Sequence, residues 1–180
     1  MSTTLTTIAR ACTAQTTLAT PLGPLLLVRT ERGLAGAWFQ DQKHHPDAFT
    51  AVRRSDDALL RRAADQLLAY FDGAGDDFDL PLDLLGTGFQ CAVWQQLLAI
   101  PSAGTTSYGA IAKALGSPSA VRAVGGAVGR NPLSVIVPCH RVVGTDGSMT
   151  GYAGGVDRKR ALLALERATA LARPRTEATA

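Results

Sequence analysis

Long apolar runs are missing from this sequence. No segment approaches the roughly twenty consecutive apolar residues needed to cross a bilayer. The N-terminal segment carries one charge, Arg10, and lacks the basic start and apolar block of a secretory signal. We therefore expect a soluble, cytoplasmic protein. The Thr-, Ala- and Ser-rich start predicts a disordered tail over residues 1–17.

Cysteine is scarce, with only Cys12, Cys91 and Cys139 in 180 residues. An odd number without a Cys-x-x-Cys pair argues against a disulfide framework and against a thiolate zinc site. Cys12, His44 and His45 do not supply a convincing four-ligand set, so we expect no metal. We expect no cofactor either. At least one thiol is then free for chemistry.

The net charge of +3 conceals an uneven distribution. Residues 1–86 hold 8 basic and 11 acidic side chains (net −3), whereas residues 87–180 hold 10 basic and 4 acidic ones (net +6). The second half is therefore predicted to meet a polyanion and the first half to support it. A solvated basic face on an ordinary enzyme is the alternative that charge alone leaves open.

The first half has the pattern of a small α+β unit. Leu22–Val28 and Leu34–Phe39 are predicted strands of a hairpin. From Leu60 to Phe71, apolar residues recur at three- and four-residue steps, which predicts an amphipathic helix. Phe78–Leu82 is a further candidate strand, and the two glycines within 83–88 indicate a domain boundary.

Short helices dominate the second half. One is predicted over Phe89–Leu98, and another runs from a cap at Ser107 to Leu115. After a tight turn at Gly116, the next helix covers Ser119–Val128, and this pair is typical of a helix-turn-helix. A final helix is predicted over Asp157–Leu171.

The second helix of this pair contains adjacent glycines, Gly125 and Gly126. Each costs about 1 kcal/mol relative to alanine in a helix, so a compensating gain is expected. Either the lack of side chains at these glycines lets another molecule approach the helix closely, or the glycines pack tightly against a neighbouring helix. Arg122, a lone long cation among small residues, favours insertion into a narrow groove.

The apolar segment 131–137 predicts a strand that delivers Cys139 at a proline-stiffened turn, with His140 beside it. A buried free cysteine is usually inert, so a structural role is the alternative. The string Pro138-Cys139-His140-Arg141-Val142 is much more specific than a lone cysteine.

This string resembles the active-site signature of O6-alkylguanine-DNA alkyltransferases. The resemblance covers about Gly86 to Glu166, and the first half matches more weakly, mainly through residues 20–24. The supporting segments are Phe89-Gln90, Val93-Trp94, Ser107-Tyr108, Ala123-Val124-Gly125, Asn131-Pro132 and Gly151-Tyr152.

The resemblance implies an α+β fold with two domains. A ribonuclease H-like antiparallel sheet with a helix is expected over 18–86. A mostly helical domain with a winged-helix-like helix-turn-helix follows over 87–171, and then a flexible tail over 172–180. The zinc-binding, transcription-activating domain at the front of some relatives is not expected here.

The implied activity is transfer of an alkyl group from O6-methylguanine, and more weakly O4-methylthymine, in double-stranded DNA. Cys139 would be the nucleophile, consumed in a single turnover. His140 would act as general base through a water, and Glu166 would orient it. Tyr108 would donate its hydroxyl to the leaving base, and Asn131 would tie the active-site turn to the helix-turn-helix.

The resemblance also implies a DNA surface, a base pocket and a monomeric protein without an obligatory protein partner. Arg122 would enter the duplex and fill the place of the flipped base. The other DNA-contacting residues would be Ser107, Ala123, Gly125, Gly126, Ala127, Arg130 and Arg141. The pocket would be formed near Val142, Ser134, Tyr152 and Ala153, with Ser134 standing where some relatives have proline.

Three alternatives remain open at this point. A Cys-His hydrolase would use the same dyad, but it leaves Arg122 and the helix-turn-helix without a purpose. A helix-turn-helix regulator leaves Cys139, His140 and Glu166 unexplained. Relatives that bind damage without repairing it lack the reactive cysteine, which this chain keeps.

Overall fold

The computed structural model describes residues 3–46, 49–149 and 151–172. No helix in these ranges is both long and apolar enough to span a membrane. The α-helices are α1 (Thr3–Ala11), α2 (Ala58–Phe71), α3 (Gly88–Leu98), α4 (Tyr108–Ala114), α5 (Val121–Gly129) and α6 (Val156–Ala172). The strands are β1 (Cys12–Leu18), β2 (Leu25–Thr30), β3 (Leu34–Phe39), β4 (Val52–Arg53), β5 (Thr106–Ser107) and β6 (Val142–Val143).

A four-stranded sheet in the order β3-β2-β1-β4 forms the base of the first half. Its pairs are antiparallel except for β4, which runs parallel to β1. Because side chains alternate between the two faces of a strand, both faces can bury apolar groups. Leu25 and Leu27 pack in the same core as Leu60 of α2. Ile8 of α1 belongs to a second core with Trp38.

The predicted disordered tail over residues 1–17 is wrong for residues 3–17, which form α1 and most of β1. Strand β1 lies inside the sheet, between β2 and β4. The Gln15 amide donates hydrogen bonds to the carbonyls of Phe49 and Ala51. A weakly charged, Thr-rich segment is well suited to a strand once neighbouring edges are available. Residues 1–2 and most of the predicted tail over 172–180 lie outside the described residues.

Two strand predictions in the first half need correction. Strand β2 begins at Leu25 rather than Leu22, because residues 20–24 form a turn in which Gly23 has a φ of +107°. No strand is assigned over 78–82; within it, Leu82 alone forms a bridge, to Leu34. A proline in this stretch lacks the N–H that a continuous ladder requires.

The helix-turn-helix of the second half is confirmed. The Ser107 side chain accepts a hydrogen bond from the Ala110 N–H and caps α4, as its position in the sequence predicted. Gly116 then turns the chain with a φ of +69°. The helix predicted over 119–128 begins as a 3₁₀ turn, Pro118–Ala120, and continues as α5.

The segment 131–138 joins the two halves of the molecule. It is buried, but it consists mainly of turns, so the predicted apolar strand is wrong. Leu133 forms a single bridge with Ala37 of β3. The Ala37 N–H donates to the Pro132 carbonyl at 2.8 Å, and the Ser134 N–H donates to the Ala37 carbonyl at 2.9 Å. Two prolines within the segment prevent a regular ladder.

Candidate active site

Cys139 opens a 3₁₀ turn, Cys139–Arg141, directly after this buried segment. Its N–H donates to the Val137 carbonyl at 2.7 Å, which closes the chain tightly before the turn. Cys139 is only 4% exposed. The thiol is therefore held in place by the backbone rather than displayed on a loop.

Asn131 clasps the cysteine turn from the end of the helix-turn-helix. Its Nδ2 lies 3.0 Å from Cys139 Sγ, 2.8 Å from the Val137 carbonyl and 3.3 Å from the Leu133 carbonyl. Its Oδ1 accepts from the Leu133 N–H at 3.0 Å. One amide thus uses both its donor and its acceptor groups to fix Cys139 relative to α5.

Glu166 of α6 is a buried carboxylate with four partners. Its Oε1 lies 2.7 Å from His140 Nε2 and accepts from the Tyr70 hydroxyl at 2.9 Å. Arg141 donates to both oxygens, and the Ala103 N–H donates to Oε2 at 3.0 Å. Burial alone would raise the pKa of Glu166, but hydrogen bonds and charge from His140 and Arg141 outweigh it and lower the pKa to about 2.

The His140 ring is fully buried against this carboxylate. Burial lowers the pKa of His140 from its usual 6.5, so the ring is neutral at pH 7. Because an ionised carboxylate can only accept, Nε2 must carry the proton and Nδ1 keeps a lone pair. Nδ1 is buried and makes no hydrogen bond to any described residue. It is therefore the basic atom of the site.

The prediction that Arg141 contacts DNA is wrong. Its side chain is 7% exposed, and Nη2 lies 2.9 Å from Glu166 Oε1. Its Nη1 donates to the Ile100 carbonyl at 2.6 Å. All three nitrogens of the guanidinium donate to Glu166 or to the Ile100 carbonyl inside the protein, so the side chain is not available to bind a phosphate.

Lys159 is a functional candidate that the sequence did not reveal. It is fully buried, and its Nζ donates to the Val142 carbonyl at 2.6 Å and to the Gly151 carbonyl at 3.3 Å. Burial raises the pKa of the Cys139 thiol to about 11, although the Asn131 hydrogen bond and the Lys159 charge act in the opposite direction. The resting thiol is therefore protonated at pH 7 and needs a base.

A cavity of about 450 Å³ opens onto the thiol. This volume lies within the usual range for small-ligand sites, roughly 300–1,000 Å³. Both halves of the chain contribute to its wall, which includes Lys43, His44, Tyr108, Val128, Cys139, Tyr152 and Ala153. The structure thus brings the predicted residues Tyr108, Tyr152 and Ala153 together with the cysteine, and it adds Lys43 and His44.

Two residues expected in the pocket do not line this cavity. Ser134 is buried, and its hydroxyl donates to the Gln42 side-chain carbonyl at 2.9 Å. Val142 is also buried, with its carbonyl bonded to Lys159. Gln42, which supports Ser134 from the first half, was not predicted because the partners are far apart in the sequence.

The predicted DNA surface on α5 is only partly exposed. Arg122, Ala123 and Arg130 are exposed, and Gly125 and Gly126 are half-buried. Ala127 is an exception: it is 4% exposed, and its carbonyl accepts from Trp94 Nε1 at 3.0 Å. The prediction that Ala127 contacts DNA is therefore wrong, since its side chain is buried in the core.

Comparison with known proteins decides the family. The model for the 6-O-methylguanine DNA methyltransferase ribonuclease-like domain matches residues 14–84, and the model for the DNA-binding domain of the same proteins matches residues 88–168. The chain belongs to the 6-O-methylguanine DNA methyltransferase family. Helix α1 precedes the range that these family models cover.

Two curated relatives of this methyltransferase family cover most of the chain. The methylated-DNA–protein-cysteine methyltransferase of Mycobacterium tuberculosis is 47% identical over 154 residues, which is 86% of this chain and 92% of that protein. The protein of the same name from Methanosarcina barkeri is 47% identical over 146 residues, covering 81% of this chain and 92% of that protein.

Solved structures agree with this fold. The crystal structure of M. tuberculosis OGT in complex with DNA has a TM-score of 0.79 and 46% identity, over 87% of this chain and 94% of that one. The O6-methylguanine-DNA methyltransferase of Pyrococcus kodakaraensis is 23% identical with a TM-score of 0.51, so it supports the fold alone. No cluster of His, Cys, Asp and Glu suited to a metal ion occurs in the described part of this family member.

Proposed function

We propose that this chain repairs DNA by moving an alkyl group from O6 of guanine to Sγ of Cys139. The observation that carries the proposal is a thiol that lines a cavity and is held by Asn131, while the next residue of the same 3₁₀ turn, His140, is hydrogen-bonded to the buried carboxylate of Glu166. Transfer from O4-methylthymine is proposed as a weaker activity of the same pocket. Double-stranded DNA is the proposed partner, bound by a monomeric, cytoplasmic protein.

The proposed reaction begins with the thiol proton. His140 Nδ1 accepts it through a water, and Glu166 keeps the ring in the tautomer that allows this. Sγ then attacks the alkyl carbon; the new S–C bond forms as the C–O6 bond breaks, and its electron pair stays with the guanine. Tyr108, on the cavity wall, donates a hydrogen bond from its hydroxyl to the ring as this charge develops.

A single turnover follows from the product. A thioether is chemically stable, and among the described residues none of the groups around Cys139 is suited to cleave a carbon–sulfur bond. Each chain would therefore accept one alkyl group and stop. Neither a metal nor a cofactor has a step in this reaction.

The helix-turn-helix supports delivery of the base by flipping. Tight packing inside the protein does not require the two glycines of α5: a Cβ on Gly125 would meet the Tyr108 ring at 3.9 Å, an ordinary contact. A Cβ on Gly126 would meet only the flexible end of Arg130, at 3.2 Å. The glycines therefore favour close approach by an outside body, with Arg122 inserted into the duplex and Ser107, Ala123 and Arg130 beside it.

Intact-mass measurement with a methylated-guanine duplex tests the proposal. The parent protein should gain one methyl group per chain and then stop. Cys139→Ser should gain none, because a hydroxyl of nearly the same size is a far weaker nucleophile, whereas Cys91→Ser should react like the parent. Methyl uptake by Cys139→Ser would refute the assignment. Steady turnover would favour a hydrolase, and DNA binding without uptake would favour a regulator.

A further inference from the structure

We propose that Arg158 is a positioning residue that fastens one wall of the base pocket to the first half of the chain. This wall is the stretch 151–155, here called the pocket wall, of which Gly151, Tyr152, Ala153 and Gly155 line the cavity beside Cys139. The inference rests on the proposed function, because the alkylated base is the ligand that the wall would hold.

Arg158 connects three parts of the molecule through one guanidinium. Its Nε donates to the Leu22 carbonyl at 2.8 Å, in the turn before β2. Its Nη1 donates to the Gly154 carbonyl at 3.0 Å, in the pocket wall. Its Cζ lies 4.6 Å from the centre of the Phe39 ring, in β3. A planar group can make these contacts together, whereas an ammonium cannot.

The turn at residues 20–24, whose Leu22 carbonyl accepts from Arg158, has a shape that accommodates the guanidinium. Gly23 has a φ of +107°, a conformation that residues with a Cβ rarely adopt. A Cβ at this position would also lie 3.1 Å from Arg158 Nη2. The turn therefore leaves room for the guanidinium as well as providing a carbonyl acceptor.

A second contact holds the same wall from the first half. The Lys43 N–H donates to the Ala153 carbonyl at 2.8 Å, and Lys43 itself lines the cavity. Arg158 and Lys43 thus fix consecutive residues of the wall. The hydrogen bonds and the ring contact found for Arg158 do not involve Asn131, Cys139 or His140. Its removal should therefore change base binding without changing the thiol.

Single-turnover transfer from free O6-methylguanine base, followed by intact mass over a range of base concentrations, tests this. Arg158→Ala should raise the half-saturating base concentration about tenfold, as expected for losing hydrogen bonds from a charged group. The maximal rate constant and the alkylation of Cys139 by iodoacetamide should stay near the parent values. Arg158→Lys should recover part of the loss.

Arg160→Ala is the matched control, because Arg160 lies on the same helix in an exposed ion pair with Asp157. It should behave like the parent. A half-saturating concentration unchanged in Arg158→Ala would overturn the inference. The inference would also be overturned if Arg158→Ala slowed transfer from duplex DNA but not from the free base, because Arg158 would then be a phosphate contact. Equal losses of transfer and of iodoacetamide alkylation would show general disruption and overturn it too. No uptake by the parent itself would overturn the proposed function, a different and separately visible result.

Discussion

Removing the Arg141 guanidinium should destabilise the protein while leaving the proposed DNA surface intact. The residue lies in the signature string beside Cys139, yet its side chain is 7% exposed and is paired with Glu166. Arg141→Ala would leave Glu166 charged in the interior, with His140, Tyr70 and one backbone N–H as its remaining partners. Those groups are neutral and cannot balance the charge.

The size of the effect follows from the burial of the pair. Breaking a buried ion pair by removing one partner destabilises a protein by about 3–5 kcal/mol. For a chain of this length, each 1 kcal/mol lowers the melting temperature by roughly 2–4 °C. Arg141→Ala should therefore melt about 6–20 °C below the parent.

Urea unfolding followed by tryptophan fluorescence would measure this loss, since Trp38 and Trp94 are both buried. The double variant Arg141→Met with Glu166→Gln should recover much of the stability, because no unpaired charge remains. Its rate of methyl transfer should nevertheless remain far below that of the parent, because the carboxylate that orients His140 is gone.

Arg130→Ala serves as the control, because Arg130 is exposed on the proposed DNA surface. It should weaken duplex binding and leave the melting temperature nearly unchanged. If Arg141→Ala had parental stability but bound DNA more weakly, the stabilising role of the Arg141–Glu166 pair would be refuted. Arg141 would then have to contact DNA.

Three further predictions follow from the site. The free energy of unfolding, measured with urea across pH, should be constant from about pH 6.5 to 9.0. Below pH 6.5 it should fall, because burial lowers the pKa of His140 and the unfolded chain then binds the proton more tightly. Above pH 9.0 it should fall again, because burial raises the pKa of Cys139 to about 11 and the unfolded chain releases that proton first. A stability maximum outside this window would contradict those shifts. Asn131→Ala should move the pH profile of Cys139 alkylation by iodoacetamide upward, because the hydrogen bond that lowers the thiol pKa is removed; an unchanged profile would argue against the clasp. Arg122→Ala should reduce transfer from duplex DNA far more than binding, with transfer from free base hardly changed, and an unchanged ratio of duplex to free-base rates would make Arg122 a phosphate contact.

Local signals were sufficient for much of the fold. The helix cap at Ser107, the glycine turn at Gly116 and the apolar repeat of α2 act between residues close in sequence, so they can be read without the tertiary structure. Predictions failed where the partner was distant. Strand β1 is stabilised by its pairing with β2 and β4. Because its Thr-rich sequence contains no local signal of that pairing, the strand was not predicted.

The sequence by itself pointed to the proposed nucleophile and its proposed base, because Cys139 and His140 stand together in a specific string. Only the tertiary structure decided what surrounds them. It turned Arg141 inward to Glu166 and buried Lys159 within a run of charges that is typical of a solvated helix. It also brought Lys43 and His44 to the pocket from the other half of the chain. Burial, ion pairing and contacts between the halves depend on how distant segments pack, and the order of residues along one segment does not contain that information.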